Sequence, residues 1–148
     1  MLRICMLSQL LLLLLSIMPI AHSQDSFVQV VVNTSVPTDD MTKVQARRVF
    51  SMRQVSWAND STITVYVMED HHPTHKVFST QVLGLFPYQL DRIWNKLIYS
   101  GLGEEPIKVK NEQEMLERIS STPGAIGYLM NNIQIDNFNV KIIRVGEG

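Results

Sequence analysis

The sequence predicts an α/β domain in which helices flank a central mixed or parallel β-sheet. Segments rich in β-branched residues alternate along the chain with segments whose apolar residues recur at helical spacing. Strands that alternate with helices in this way are typical of layered α/β folds. The pattern is clearest in Asn111–Met130, which contains a helical stripe, a sharp stop and a short apolar run.

Within this segment, local signals predict both the ends of the helix and the strand that follows. Asn111 can cap the helix, and Glu114 stands at the capping-box position three residues later. The helix should end at Thr122–Gly124, because proline lacks an N–H group and restricts the residue before it. Ala125–Met130 is short and mostly apolar, which indicates a strand covered on both faces. Gly127 within it suggests that another backbone approaches closely.

The remaining elements follow from the same periodicities. The other predicted strands are Phe27–Val32, Thr62–Met68 and Val140–Val145. The other predicted helices are one at about Met41–Phe50 behind a cap at Thr38–Asp40, one that starts near Pro73 and is broken at Pro87, and one with an apolar stripe from Leu90 to Ile98. Trp57, Trp94, Tyr99 and Tyr128 are interpreted as core or half-core aromatics.

Residues 1–23 are predicted to be a signal peptide, with a retained membrane anchor as the alternative. Arg3 precedes an apolar run centred on Leu10–Leu15, and Ala21–Ser23 offers small residues for cleavage before Gln24. Residues 24–148 should then form one exported domain, either periplasmic or secreted. The only cysteine, Cys5, lies in the leader, so the domain uses no disulfide. A formal net charge of −1 gives no drive toward nucleic acid.

Four segments resemble, in the right order, motifs of the phosphate-type periplasmic substrate-binding proteins. T-P-G-A-I-G-Y-L at Thr122–Leu129 is similar to the PGAIGY signature of that family. The other segments are V-N-T-S-V-P at Val32–Pro37, R-R-V-F-S-M-R-Q-V-S-W at Arg47–Trp57 and W-N-K-L-I-Y-S-G-L-G-E-E-P at Trp94–Pro106. They match the part of a family member around one of its two lobes. The resemblance therefore implies a single-lobe periplasmic-binding-protein-like (type 2) domain in residues 24–148.

The polar loop Glu69–Lys76 is the candidate binding site. It follows a predicted strand and opens a predicted helix, a geometry that offers backbone N–H groups to an anion. In the family, the corresponding R-x-D-G-S-G-T loop holds an oxyanion through its arginine, serine and threonine. Thr74 matches that threonine, but Met68 stands at the arginine position, and histidines and a proline replace the Gly-Ser-Gly triplet. The candidate ligand-binding residues are His71, His72, Thr74, His75 and Lys76.

Two other interpretations of this loop stay open at this point. His71, His72 and His75 could bind zinc, copper or nickel, although their spacing is not that of an established motif. The loop could also be a solvated polar helix start without a ligand. Glu112, Glu114 and Glu117 are interpreted as solvated helix-end charges rather than an acid/base pair.

The sequence predicts no enzyme activity and no cofactor. Residues 24–148 contain no cysteine nucleophile, no G-x-S-x-G elbow, no H-E-x-x-H pair and no P-loop. The first hypothesis is a module that binds phosphate or a similar anion for an ABC-type transporter or a sensing system. An accessory protein that has lost ligand binding is the alternative, and a metal-binding protein is the third. Expected partners are a transporter or sensor component and a second copy of the chain.

Overall fold

The computed structural model describes residues 26–147, so the predicted leader at residues 1–23 lies outside the described residues. Eleven helical and extended elements follow one another along this part of the chain. They are β1 (Val28–Asn33), β2 (Asp40–Thr42), α1 (Lys43–Phe50), β3 (Thr64–Met68), α2 (Pro73–Val77) with its π-helical continuation Phe78–Leu83, α3 (Pro87–Tyr99), β4 (Ile107–Val109), α4 (Glu112–Ser121), β5 (Ala125–Met130) and β6 (Val140–Gly146).

The strands form one mixed sheet in the order β2-β6-β1-β5-β3-β4, which confirms the predicted fold class. At its centre β1 runs antiparallel to both neighbours, with Val30 opposite Tyr128 on β5 and Ile143 on β6. β3 is parallel to β5 and to β4, and β2 is parallel to β6. Because β3 and β4 are parallel, the loops that follow them leave the sheet at the same edge. This edge carries the candidate site.

α4 covers one face of the sheet at close range. Met115, Leu116 and Ile119 are buried on the inner face of the helix, as the apolar spacing predicts. A Cβ atom at Gly127 of β5 would lie 2.5 Å from Met115 Sδ and 2.8 Å from Ile119 Cδ1. Gly127 therefore allows a close approach, as predicted, but the approaching atoms are helix side chains rather than a backbone.

The predicted ends of α4 are confirmed. Asn111 Oδ1 accepts a hydrogen bond of 2.9 Å from Glu114 N. Glu114 reaches back one residue further than a capping box requires and accepts from Lys110 N instead. After the helix, Gly124 has a φ of 75°, and a Cβ atom there would lie 2.2 Å from Thr62 O. Only glycine fits this conformation and this space.

The structure differs from the sequence expectations at the short elements. β2 and β4 have three residues each and were not predicted. Both strands are too short to show an alternation of apolar and polar residues. They are defined by their pairing, β2 with β6 and β4 with β3. α1 consequently begins after β2, at Lys43, and Thr42 caps it together with Gln45, so the predicted cap at Thr38–Asp40 is wrong. Among residues 26–147, no helix has the length and apolar character needed to cross a bilayer.

Candidate functional site

The loop that follows β3 leads directly into the short helix α2. Glu69 N donates to Val109 O at 3.2 Å, which ties the start of the loop to the end of β4. His72 N donates to Glu69 O at 2.9 Å and closes the turn before the helix. The loop therefore lies where β3 and β4 end, an edge of an α/β sheet at which ligands commonly bind.

The first turn of α2 has already used its backbone donors. His72 is the N-cap, and its Nδ1 accepts from Thr74 N at 3.2 Å. Pro73 has no N–H group. The N–H groups of His75 and Lys76 both donate to His72 O, at 3.0 Å and 3.3 Å. This helix start therefore offers an incoming anion no free backbone donor within its first turn.

Thr74, the residue that matches the family motif, is held by a carboxylate of the same chain. Its side chain lies inward, with the residue only 5% exposed. Thr74 Oγ1 donates to Glu112 Oε1 at 3.0 Å, and Met130 N donates to the same oxygen at 3.2 Å. Glu112 is the first residue of α4, where the helix end favours a negative charge. A carboxylate oxygen of the chain thus holds the hydroxyl through which the family resemblance implies contact with an oxyanion.

Glu112 is the residue of this region whose environment differs from the interpretation made from the sequence. It is not a solvated helix-end charge, because it is partly buried and accepts two hydrogen bonds. Its position directly after the Asn111 cap, on the element that follows β4, was the available signal. Recognising that signal required β4 itself, since β4 brings the start of α4 to the edge where the β3 loop emerges.

His75 belongs to the core rather than to a solvent-facing site. It is fully buried, and its Nδ1 lies 2.6 Å from the hydroxyl of Tyr128, which also accepts from Met68 N at 2.8 Å. No hydrogen-bond partner within residues 26–147 reaches its buried Nε2. Burial lowers the pKa of His75, although the charge of Asp70 partly opposes this shift. Burial also raises the pKa of Tyr128 well above its usual range. This pair is therefore neutral near pH 7.

The exposed part of the loop carries charges of both signs. His71 and Lys76 are exposed, and His71 Nε2 lies 3.5 Å from Glu69 Oε2. Asp70 pairs with Lys108 of β4 at 3.0 Å. Partial burial works against the charge of Lys108, but its hydrogen bond to Asp70 and the neighbouring carboxylates raise its pKa. The carboxylates of this loop thus each lie against a basic side chain, His71 or Lys108.

The structure separates the five candidate residues into three environments. His72 and Thr74 lie at the helix start, His75 lies in the core, and His71 and Lys76 lie in solvent. The three histidines do not converge. In the part of the chain that the structure describes, no group of three or more histidine, cysteine or acidic side chains is arranged to hold a metal ion.

Solved structures with a similar fold are substrate-binding proteins for phosphate. A Vibrio cholerae receptor for ABC-type phosphate transport shares 16% identity with this chain, with a TM-score of 0.62 over 81% of this chain and 46% of the receptor. PstS from Borrelia burgdorferi shares 16% identity, with a TM-score of 0.60 over 81% of this chain and 47% of PstS. The chain has the fold of one lobe of a phosphate-type substrate-binding protein.

A third similar structure is that of a substrate-binding protein for a phosphate ABC transporter from Clostridium perfringens, which contains bound phosphate. It shares 18% identity, with a TM-score of 0.62 over 81% of this chain and 45% of that chain. The chain spans about half of the length of the structures it matches. No protein-family model and no curated protein matches the sequence. At this level of identity the similarity establishes the fold alone. The binding of phosphate is a property of the similar proteins and is not carried over to this chain by the fold.

Proposed function

We propose that this chain is an exported, non-enzymatic module of a transport or sensing system, which acts through contact with a protein component. In this proposal it keeps the solute-binding lobe but does not retain free phosphate tightly by itself. The observation that supports this proposal is the Glu112 carboxylate, whose Oε1 accepts from both Thr74 Oγ1 and Met130 N.

An anion that competes with Glu112 has three disadvantages. The carboxylate belongs to the chain, so its effective concentration at Thr74 is high and independent of solute. Lys108 on β4 already pairs with Asp70 of the same loop, so that cation is not free for an anion. Finally, Met68 stands where the family motif has an arginine, so the bidentate contact that selects phosphate is missing. Together these features favour a lobe that serves as a scaffold for protein contacts.

A second candidate function is weak anion binding at the surface of the loop. The exposed side chains of His71 and Lys76 favour it, since neither is buried against the core. A contact of this kind uses only side chains that lie in solvent, so it should not require Thr74.

Calorimetric titration of the exported protein with phosphate, sulfate and zinc tests the proposal. We expect no saturable binding of any of the three at micromolar concentrations near pH 7. Saturable phosphate binding that is lost in Thr74→Ala would overturn the proposal and favour a free-ligand function. Binding that survives Thr74→Ala would support the surface site of His71 and Lys76.

The protein contact has its own test. A photo-crosslinking residue placed at the exposed position His71, on the same loop as Thr74, should capture a membrane component of a transporter or a sensor in intact cells. Mass spectrometry identifies the captured chain. If position 71 yields no such component while phosphate titration is also negative, the scaffold function is contradicted together with the ligand function.

A further inference from the structure

The central sheet opens between β1 and β6 at one end. The register of these two strands ends at Val30 and Ile143. Beyond that point β6 continues along β2, which pairs with Arg144–Gly146 on the opposite edge of β6. The opening between Phe27–Gln29 and Arg144–Gly146 is called the β1–β6 gap below.

One side of the gap is the backbone of Val28. Asn131 N donates to Phe27 O at 2.9 Å, so the groups of Phe27 bond toward β5. Successive residues of an antiparallel strand bond toward opposite neighbours. The N–H and C=O groups of Val28 therefore point away from β5, toward the side on which β6 lies.

The other side of the gap is the backbone of Val145. Arg144 N donates to Asp39 O, just before β2, at 3.3 Å. By the same alternation Val145 points its N–H and C=O groups toward β1. Val28 and Val145 would form the next pair of the β1–β6 ladder, yet within residues 26–147 that ladder does not include them. Two strand edges thus face each other without pairing.

Apolar side chains line the gap on both faces of the sheet. A cavity of about 1030 Å³ runs along it. On one face Phe27 and Ile142 are 52% and 46% exposed. They share this face because Phe27 keeps the alternation of Val31, which lies opposite Ile142. On the other face the lining residues Val30 and Ile143 are buried. An occupant would meet apolar side chains on either side of its backbone.

Other exposed apolar side chains lie outside this cavity. Tyr99, interpreted from the sequence as a core or half-core aromatic, is 88% exposed, so that interpretation is wrong. Val44 and Val55 are 58% and 57% exposed. None of the three lines the cavity. The gap differs from these positions because its apolar side chains flank two facing strand edges.

The charges that line the gap balance one another. Lys43 Nζ lies 3.7 Å from Glu147 Oε1. Asp40 is the register partner of Arg144, so the two side chains stand on the same face of β2 and β6. All four residues line the cavity. Two cations and two carboxylates give an anionic membrane or a nucleic acid no net attraction, and they match an uncharged occupant.

We propose that the β1–β6 gap binds an uncharged, extended peptide segment of a partner protein, which continues the sheet between β1 and β6. A peptide presents N–H and C=O groups along both of its edges and therefore pairs with Val28 and Val145, as in strand addition. Since β1 and β6 are antiparallel, the segment runs parallel to one and antiparallel to the other. An acyl chain would fill the cavity but leave both backbones without hydrogen bonds.

The gap opens at the same edge of the sheet as the Glu69–Lys76 loop. Val28, at the start of β1, lies opposite Met130 at the end of β5, and β3 ends at the same edge because it is parallel to β5. β1 is two strands from β3, a distance of about 10 Å. The inference deepens the proposed function and rests on it for the class of partner, a transporter or sensor component.

NMR titration of the isotope-labelled exported protein with the peptide acetyl-Val-Thr-Val-Thr-Val-Thr-Val-amide tests the proposal. We expect saturable shifts of amide signals, concentrated in residues 27–30 and 142–146. Hydrogen exchange at Val28 N and Val145 N should slow by about tenfold or more at saturation, because both N–H groups then have an acceptor. No saturable shift, or shifts centred elsewhere, would overturn the proposal.

A matched peptide and matched variants separate strand addition from apolar adhesion. The same peptide N-methylated at every threonine cannot donate along one edge and should not bind. Phe27→Glu with Ile142→Glu should abolish binding, and both positions are exposed, so the variant is expected to fold. Val44→Glu with Val55→Glu makes the same change at exposed positions outside the cavity and should bind as the wild-type protein does. Equal binding of the N-methylated peptide would contradict backbone pairing.

Two other occupants would each overturn the proposal. Saturation of the same signals by monomeric dodecylphosphocholine, with no effect of the peptide, would assign the cavity to an acyl chain. Shifts of these signals that grow with protein concentration alone would assign it to a second copy of the chain.

Crosslinking from position 71 distinguishes this inference from the proposed function. Capture of a membrane component that is lost in Phe27→Glu with Ile142→Glu would support both. Capture that persists in this variant would refute the gap as the contact and leave the proposed function standing. Peptide binding at the gap without capture of any membrane component would contradict the proposed function and support the gap as a peptide site.

Discussion

Replacing Glu112 with alanine tests whether a carboxylate of the chain fills the anion position. The substitution removes the acceptor shared by Thr74 Oγ1 and Met130 N. A donor left without an acceptor in the interior costs about 1–3 kcal/mol. Thr74 is buried and Met130 is partly buried, so water can compensate only one of the two. We expect Glu112→Ala to lower the free energy of unfolding by about 2 kcal/mol.

The informative result is the response of this variant to phosphate. With the carboxylate gone, a phosphate oxygen can accept from the same two donors and stands at the N-terminal end of α4. A ligand at a hundred times its dissociation constant adds about 2.7 kcal/mol of stability. We therefore expect phosphate to restore the variant to wild-type stability and to leave the wild-type protein unchanged.

Thermal unfolding followed by circular dichroism measures both effects. At roughly 4 °C per kcal/mol for a domain of this size, Glu112→Ala should melt about 8 °C below the wild-type protein. Phosphate is compared with sulfate and with chloride at matched ionic strength, so that screening of charges is separated from binding. Glu117→Ala is the control, because Glu117 lies on the same helix but only on its exposed face.

Either of two results would refute the reasoning. If Glu112→Ala and Glu117→Ala have the same melting temperature, the Glu112 carboxylate does not stabilise the fold by accepting from Thr74 Oγ1 and Met130 N. If the variant is destabilised but phosphate helps no more than chloride, Glu112 is a structural hydrogen-bond acceptor and the position beside Thr74 is not one that an oxyanion can use.

Four further substitutions test the buried Tyr128–His75 pair and two glycines with positive φ. Tyr128→Phe should cost about 2–3 kcal/mol in urea unfolding, because it leaves Met68 N and His75 without their shared partner. Burial lowers the pKa of His75, so the neutral ring stabilises the fold above about pH 6.5. This contribution to the free energy of unfolding is lost as pH falls through the lowered pKa. His75→Gln should therefore flatten the plot of stability against pH in this acidic range. Gly101→Ala, in open space at a φ of 68°, should cost about 1 kcal/mol of left-handed strain. Gly124→Ala should cost at least 2 kcal/mol more than that, because its Cβ also meets a backbone carbonyl; equal midpoints would contradict the steric argument.

The elements predicted correctly are those marked by a long run of patterned residues or by a cap within a few neighbouring residues. Ala125–Met130 is a buried strand, and Asn111 caps α4 as expected. Both depend on a run of apolar residues or on a cap that a few neighbouring residues specify. The π-helical continuation of α2 up to Gly84 and the three-residue strands β2 and β4 depend on contacts with distant parts of the chain. Periodicity over three residues carries no information about such contacts.

The sequence alone determined the order of the main strands and helices, the resemblance to a solute-binding lobe and the loop in which a site would lie. Tertiary structure alone decided which polar groups of that loop are already hydrogen-bonded. His75 turns inward because Tyr128, 53 residues later, supplies its partner, and the Thr74 hydroxyl is occupied because Glu112, 38 residues later, reaches it. The physical reason is that parallel pairing of β3 with β4 and β5 brings these distant residues to one edge of the sheet. Which polar groups stay free for a ligand depends on that arrangement.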